Sequence, residues 1–255
     1  SSKRLGEKED KKRFLVDKIH VSEDFEQKFK EYIKDKKNIY CELDSKKDEV
    51  KNVLKTVKKF KSKIDIVPFI QRMRLFKSSA EIELIKESID ITAKAHHRAM
   101  SIDKAGKYEY QLQAEIEHEF KVNGAYSDAY TSIVACGNNA NTLHYIQNSK
   151  LLVNGELILI DAGCEHNYYA SDITRTIPVN GKYTKAQKEL YELVLDTQLK
   201  IINMIKPQVK RSHLQERAER LLTKGMIKLG ILEGDLKKLL SFKGLKKYYP
   251  HGLGH

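Results

Sequence analysis

Three cysteines in 255 residues, Cys41, Cys136 and Cys164, are too few and too scattered to staple a fold. Their number is odd and none belongs to a C-x-x-C pair, so a disulfide framework is excluded and a reducing cytosol fits best. Long apolar runs are missing as well. No stretch approaches the ~18 consecutive apolar residues of a spanning helix, and Ser1-Ser-Lys-Arg-Leu-Gly6 lacks the apolar centre of a signal peptide. The expectation is a cytoplasmic protein that neither enters nor crosses a membrane. Arginine clusters interleaved with aromatics, the footprint of nucleic-acid reading, are absent. So are internal repeats, heptad runs and low-complexity tracts.

What the chain has in quantity is lysine. Lys and Arg number 47 against 35 Asp and Glu, a formal charge of +12. The lysines are interleaved with acids, as in Lys34-Asp35-Lys36, although they are densest before residue 65. They read as a solvated surface, with weak, salt-sensitive contact with polyanions as the most that follows, so nucleic acid is not the expected partner. With 40% hydrophobic residues, 13 Tyr and 8 Phe, the chain has enough apolar surface to close a core. Its length suits one large domain or two small ones.

The periodicity suggests two regions, residues 1–70 and 71–255. In the first, Ser22 opens a helix carrying Phe25, Phe29 and Ile33, Asn38 to Leu43 is a short strand, and Val50, Leu54 and Val57 mark another helix. A second strand, Ile64 to Val67, closes at Pro68. This is a thin α/β pattern. Arg72 to Lys77 reads as a connector. Ser78-Ser-Ala-Glu81 is then a capping box for a long helix with Ile82, Ile85 and Ile89, ending near Met100. Leu112, Ile116 and Phe120 mark the next helix, which Asn123-Gly124 stops. From Thr131 to Pro178 the period changes to that of strands: Thr131 to Ala135, Leu157 to Asp161, Tyr168 to Asp172 and Ile173 to Val179. Thr184-Lys-Ala-Gln187 caps a helix with Leu190, Val194 and Ile201, and a last helix covers about Leu214 to Leu229. Helices, then strands, then helices argue for α+β with an antiparallel sheet covered on one face.

The most informative stretch runs from Leu157 to Thr176. An apolar strand ending at Asp161, a polar turn and a returning strand past Asp172 make a hairpin. If the turn is centred between His166 and Asn167, the two aspartates are cross-strand partners. Like charges so placed destabilise a sheet, so either one keeps a proton or a cation lies between them, and carboxylate oxygens suit Mg or Mn. An ordinary hairpin with both acids in water is the alternative, and a bulge at Gly163 is another, since it would put the acids on opposite faces. His251 and His255 stand at i, i+4 in Pro250-His-Gly-Leu-Gly-His255. The two glycines argue against a helical zinc motif, but in extended chain both imidazoles share a face. His144 sits in the Asn-rich loop Asn138-Asn-Ala-Asn-Thr-Leu-His144, suited to presenting a side chain. His96, His97, His118 and His213 lie in helical patterns and read as surface or packing residues, and Cys164 reads as packing.

These residues belong to a longer set of blocks: Tyr130-Thr-Ser-Ile-Val-Ala-Cys-Gly-Asn-Asn139, Leu143-His144-Tyr145, Leu159-Ile-Asp161-Ala-Gly-Cys-Glu165, Tyr169-Ala-Ser-Asp172-Ile-Thr-Arg-Thr176, Pro178-Val-Asn-Gly181, Lys228-Leu-Gly-Ile-Leu232 and His251-Gly-Leu-Gly-His255. In their order and spacing, over about residues 70 to 255, the chain resembles the Xaa-Pro aminopeptidases (aminopeptidase P) of the pita-bread metallopeptidases, with prolidase the nearest relative. The resemblance implies a pita-bread catalytic domain preceded by part of a smaller α/β domain. It also implies two divalent ions, manganese by family habit, which share a water or hydroxide that attacks the peptide bond before proline. By the same resemblance Asp161 ligates one ion, Asp172 bridges both and His255 binds the other. His251 donates a hydrogen bond or shuttles a proton, His144 holds the substrate carbonyl or the developing oxyanion, and Tyr130 and Leu143 line the pocket for the N-terminal residue. Substrates would be peptides with proline second, and the full-length protein a homo-oligomer. Two further glutamate ligands are expected beyond His255, so the chain reads as a fragment lacking both ends and inactive by itself. A prolidase, or a non-catalytic binding protein on the same fold, are the other readings.

Overall fold

Apolar residues spaced for helices flank a stretch spaced for strands, and the computed structural model of the chain follows that division. It describes residues 7–20, 22–57, 60, 62–241 and 244–254, in two units, Ser1–Ser79 and Ala80–His255. Among the described residues no helix is long and apolar enough to cross a membrane.

The first unit holds helices Glu7–Phe14 (α1) and Phe25–Ile33 (α2), strand Asn38–Cys41 (β1), helix Asp48–Thr56 (α3), strand Ser62–Asp65 (β2) and helix Val67–Arg74 (α4). β1 and β2 pair in parallel, Asn38 opposite Ser62 and Cys41 opposite Asp65. Parallel neighbours need a crossover, and α3 supplies it. The strand expected to run from Ile64 to Val67 ends at Asp65, and Pro68 stands in the first turn of α4. In a first turn its missing N–H is no loss, and the Val67 N–H donates to Asp65 Oδ1 at 3.1 Å. The expected connector at Arg72 to Lys77 is therefore helical as far as Arg74.

The second unit is built on two long helices, Ser79–Ser101 (α5) and Glu109–Val122 (α6), followed by short strands Ser127–Asp128 (β3), Ile133–Cys136 (β4), Leu157–Ala162 (β5), Cys164–His166 (β6), Tyr169–Ala170 (β7) and Ile173–Pro178 (β8). Helices Lys185–Asn203 (α7), Arg211–Lys228 (α8) and the short Leu236–Ser241 (α9) complete it. The strands form two antiparallel three-stranded sheets, ordered β4-β5-β8 and β3-β6-β7. Along β5 burial alternates. Ile158, Ile160 and Ala162 are fully buried and pack with Ile91, Ala95 and Ala99 of α5 and Leu112, Ile116 and Phe120 of α6. Burying each large apolar side chain is worth about 1.5–3 kcal/mol, so this layer sets the fold. Leu157, Leu159 and Asp161 point to the other face.

Two helix faces differ from the apolar spacing. α5 buries Ser88, Ile91, Thr92, Ala95, His96 and Ala99, whereas Ile82 and Ile89 are about two-fifths exposed. The face is set by hydrogen bonds: Ser88 Oγ donates to the Cys164 carbonyl at 2.9 Å, and Thr92 Oγ1 accepts from the Cys164 N–H at 3.1 Å. On α7, Leu190 and Val194 are exposed and the buried pair is Thr197 and Ile201. Its start matches expectation, since Thr184 and Gln187 exchange backbone-to-side-chain bonds in a reciprocal capping box.

The hairpin turn is centred one residue later than the sequence suggests. Asn167 (φ +50°) and Tyr168 (φ +68°) are its two central residues, and His166 pairs with Tyr169. Positive φ at both central positions is the geometry of a type I′ turn, whose twist suits antiparallel strands. Asp161 therefore opposes Thr174, and Asp172 opposes Gly163 instead of Asp161. A partner displaced by two residues stays on the same face, so the aspartates remain diagonal neighbours. There is no bulge: the register before Gly163, Ala162 opposite Ile173, continues after it, Glu165 opposite Ala170. What Gly163 provides is close approach. A Cβ there would lie 1.8 Å from the Ser171 carbonyl oxygen. Replacing Gly163 by Ala should lower stability by at least about 2 kcal/mol, the scale of a badly overpacked site, read as a lower midpoint of urea unfolding. An unchanged midpoint would show that the strands do not need to approach there.

Candidate active site

Asp161 stands near the end of β5, on the face turned away from α5 and α6. Asp172 follows β7, exposed, on that same face. The segment before β4 runs along the opposite edge of the ribbon, where Tyr126 N donates to the Glu165 carbonyl at 3.0 Å, Ala129 N donates to the Gly163 carbonyl at 2.9 Å and Ile133 pairs with Asp161. That course brings Tyr130 between the acids. Its hydroxyl lies 2.6 Å from Asp161 Oδ1 and 3.0 Å from Asp172 Oδ1. The two carboxylate oxygens are thus no farther apart than the sum of these lengths. The Tyr130 phenol is pushed far above the ordinary tyrosine range, first by burial, then by its bond to Asp161 and the charges of both acids. Tyr130 was expected as a pocket residue, and the structure gives its hydroxyl to the aspartates.

Asp172 is positioned from behind. Its neighbour Ser171 is buried and bonds Ser88 Oγ at 3.0 Å, Thr92 Oγ1 at 2.7 Å and the Cys164 carbonyl at 3.1 Å. Cys164 is fully buried within this group, a packing residue as its surroundings suggested. The three cysteines are free. Ser88 and Thr92 escaped the sequence reading, although two hydroxyls four residues apart beside Ile91 and Ala95 are a legible sign of a polar contact under a helix.

The histidines form a second group. His144 is exposed in the loop after β4, with φ +56°, and its ring centroid lies 6.3 Å from that of His251, edge to face. Leu143 beside it is 56% exposed. The loop is seated by Tyr145, which packs on Ile133 and Ala135 against Leu159. Leu159 and Asp161 share a face of β5, so the loop lies over the side of the sheet that carries the acids. The chain around His251 is tied to α8: Arg211 donates to the carbonyls of Leu253 and Gly254, and Leu253 N donates to Gln215 Oε1 at 2.9 Å. His255 lies outside the described residues. Of the remaining histidines, His97, His118 and His213 are exposed. His96 is buried, and burial lowers its pKa.

Two carboxylates brought this close on one face offer the oxygen donors that a hard or borderline divalent ion takes. The oxygen donors of Asp161 and Asp172 therefore fit a metal. Among the described residues no group of three or more His, Cys, Asp or Glu side chains comes together as a complete metal site.

Comparison with known proteins agrees with this chemistry. Residues 83–255 match the model of metallopeptidase family M24. The chain is 43% identical over 196 residues to the Xaa-Pro aminopeptidase of Haemophilus influenzae, covering 77% of this chain and 46% of that protein. It is 43% identical over 192 residues to the Escherichia coli enzyme of the same name, covering 75% and 44%. The structure of Pseudomonas aeruginosa aminopeptidase PepP superposes with a TM-score of 0.94 at 34% identity, over 99% of this chain and 60% of that one. Zn-substituted E. coli aminopeptidase P in complex with product gives 0.93 at 34%, with the same coverage. The chain thus belongs to metallopeptidase family M24 and has its pita-bread fold. It spans about half the length of the curated relatives it matches.

Because burial and both acids raise the Tyr130 pKa, this phenol should stay protonated through the range in which an ordinary tyrosine ionises. Near-ultraviolet phenolate absorbance of the metal-free protein through that range should therefore be unchanged by Tyr130→Phe. If the substitution removes a step there, the hydroxyl does not sit between the carboxylates.

Proposed function

We propose that the protein containing this chain is a metal-dependent aminopeptidase that removes the N-terminal residue from peptides with proline second. The observation that carries this reading is the pair Asp161 and Asp172 sharing the Tyr130 hydroxyl, on a chain whose relatives are named Xaa-Pro aminopeptidase. Asp161, Asp172 and His255 are the protein ligands it contributes, with two glutamates beyond His255 in the full-length protein completing the set. Two divalent ions bound there, manganese in this reading, would supply Lewis acidity and acidify a water.

The remaining steps fall to side chains. The Xaa-Pro amide is tertiary, so its nitrogen has no hydrogen of its own and must gain a proton to leave. In this reading His251 shuttles it or donates a hydrogen bond near the scissile bond. His144, across the ring contact from His251, holds the substrate carbonyl and stabilises charge developing on its oxygen. Leu143, exposed beside it, and the ring of Tyr130 border the pocket for the N-terminal residue. The absence of paired cysteines supports a reducing cytoplasm. A homo-oligomer, as the sequence resemblance implies, completes the reading.

In the full-length, manganese-loaded protein, Asp172→Ala should remove bound metal and lower kcat/KM by more than about a hundredfold, beyond what loss of an outer supporting group costs. Elemental analysis checks it, and unchanged metal content would contradict the ligand role. His144→Ala should instead keep its metal and lose about 10²–10³ in kcat, and metal loss there would show its place to be misassigned. Turnover of tripeptides over dipeptides distinguishes this activity from that of a prolidase. Strict dipeptide cleavage would overturn it.

A further inference from the structure

We propose that Glu109 is a positioning residue for the reaction: it is the anchor that fixes the loop carrying Leu143 and His144. This rests on the role of His144 given above. Glu109 is the first residue of α6 and is fully buried. Among the described residues no cation pairs with it. Instead, four donors surround its carboxylate. Cys136 N donates to Oε1 at 2.7 Å and Asn139 Nδ2 to Oε1 at 3.1 Å, while the Tyr145 hydroxyl donates to Oε2 at 2.8 Å and Lys150 N to Oε2 at 2.9 Å.

All four come from one segment. Cys136 is its first residue, Lys150 its last, and Asn139 and Tyr145 lie between. The Glu109 N–H completes the closure by donating to the Lys150 carbonyl at 2.9 Å. One turn further along α6, Gln113 Oε1 accepts from Asn148 Nδ2 at 2.7 Å, and the same amide bonds Val134 N and the Ser132 carbonyl. Glu109 and Gln113 thus present the i, i+4 edge of a rigid helix to the loop. The helix N-terminus favours the negative charge at Glu109.

A buried carboxyl group is tolerated only when its acceptor sites are filled. Here the filling groups are the loop itself, so carboxylate and loop order each other. The loop has reason to need this. His144 (φ +56°) and Asn148 (φ +45°) hold a left-handed backbone that side chains other than glycine rarely adopt, and such strain persists where the surroundings over-determine it. Leu143 and His144 are exposed at the tip, so little else holds the imidazole in place. Its orientation is inherited from Glu109 through Tyr145, the adjacent residue.

The test is a double-mutant cycle in the full-length, metal-loaded protein. Glu109→Gln puts an N–H₂ group where two donors point. It should leave metal content unchanged and lower kcat/KM for an Xaa-Pro tripeptide about tenfold to a hundredfold, the cost of misplacing a catalytic group by about 1 Å. In a His144→Ala background the same change should cost almost nothing more, because its effect runs through that imidazole. Additive losses, or an undiminished rate, would overturn the proposal. Should Glu109→Gln not fold, Tyr145→Phe removes one of the four donors and must show the same non-additivity, in smaller measure. Hydrogen exchange on the chain itself separates this idea from the proposed activity. Amides of residues 137–149 should exchange faster in the variant while those of β5 stay protected. If the wild-type protein cleaves no Xaa-Pro peptide but the loop loosens, the activity is wrong and the anchor stands. Unchanged exchange defeats the anchor.

Discussion

Two carboxylates on one face of an antiparallel ribbon, close enough to share one tyrosine hydroxyl, impose the constraint that the rest of the second unit meets. Like charges at such a distance repel, so the arrangement survives only where the backbone leaves the side chains no alternative. Each aspartate is held by something other than the other aspartate. Asp161 is fixed by its place on β5, whose alternate residues are locked into the core beneath. Asp172 is fixed through Ser171, which Ser88 and Thr92 hold against α5. Gly163 lets the two strands approach closely beside Ser171.

The same division of labour recurs around the histidines. Groups that face outward, Leu143, His144 and Asp172, are exposed, while the groups that hold them, Glu109, Tyr145, Ser88, Thr92 and Ser171, are buried and hydrogen-bonded. A polar group in a dry interior is costly unless every site on it is matched. That cost makes such a network specific, because displacing any member leaves its partners unsatisfied. The buried polar residues therefore act as locators, and the apolar layer between helices and sheet supplies the stability that tolerates them.

Much of this was legible along the chain. The i, i+4, i+8 row of Leu112, Ile116 and Phe120 is the fully buried face of α6, and the capping box at Thr184 opens α7. Asp161, Asp172, His144 and His251 were all singled out by residue type and spacing, and the structure brings the two acids together and the two rings together. What escaped was decided by backbone conformation and by contacts far away in sequence. The turn is centred one residue later, with Asn167 and Tyr168 at positive φ, a choice that hydrophobic spacing does not encode. The buried face of α5 rotated from Ile82 and Ile89 to Ser88 and Thr92, where the sheet offers those hydroxyls partners about 80 residues away.

Sequence by itself determined the class of elements and the covered antiparallel sheet, because periodicity and short-range spacing record which faces must be dry; the family came from the resemblance of its motif blocks to a known one. Tertiary structure alone decided that Tyr130 lies between the acids, that Asp161 opposes Thr174, and that Glu109 closes the His144 loop. Those facts depend on strand register and on donors converging from distant segments, and a linear pattern carries neither.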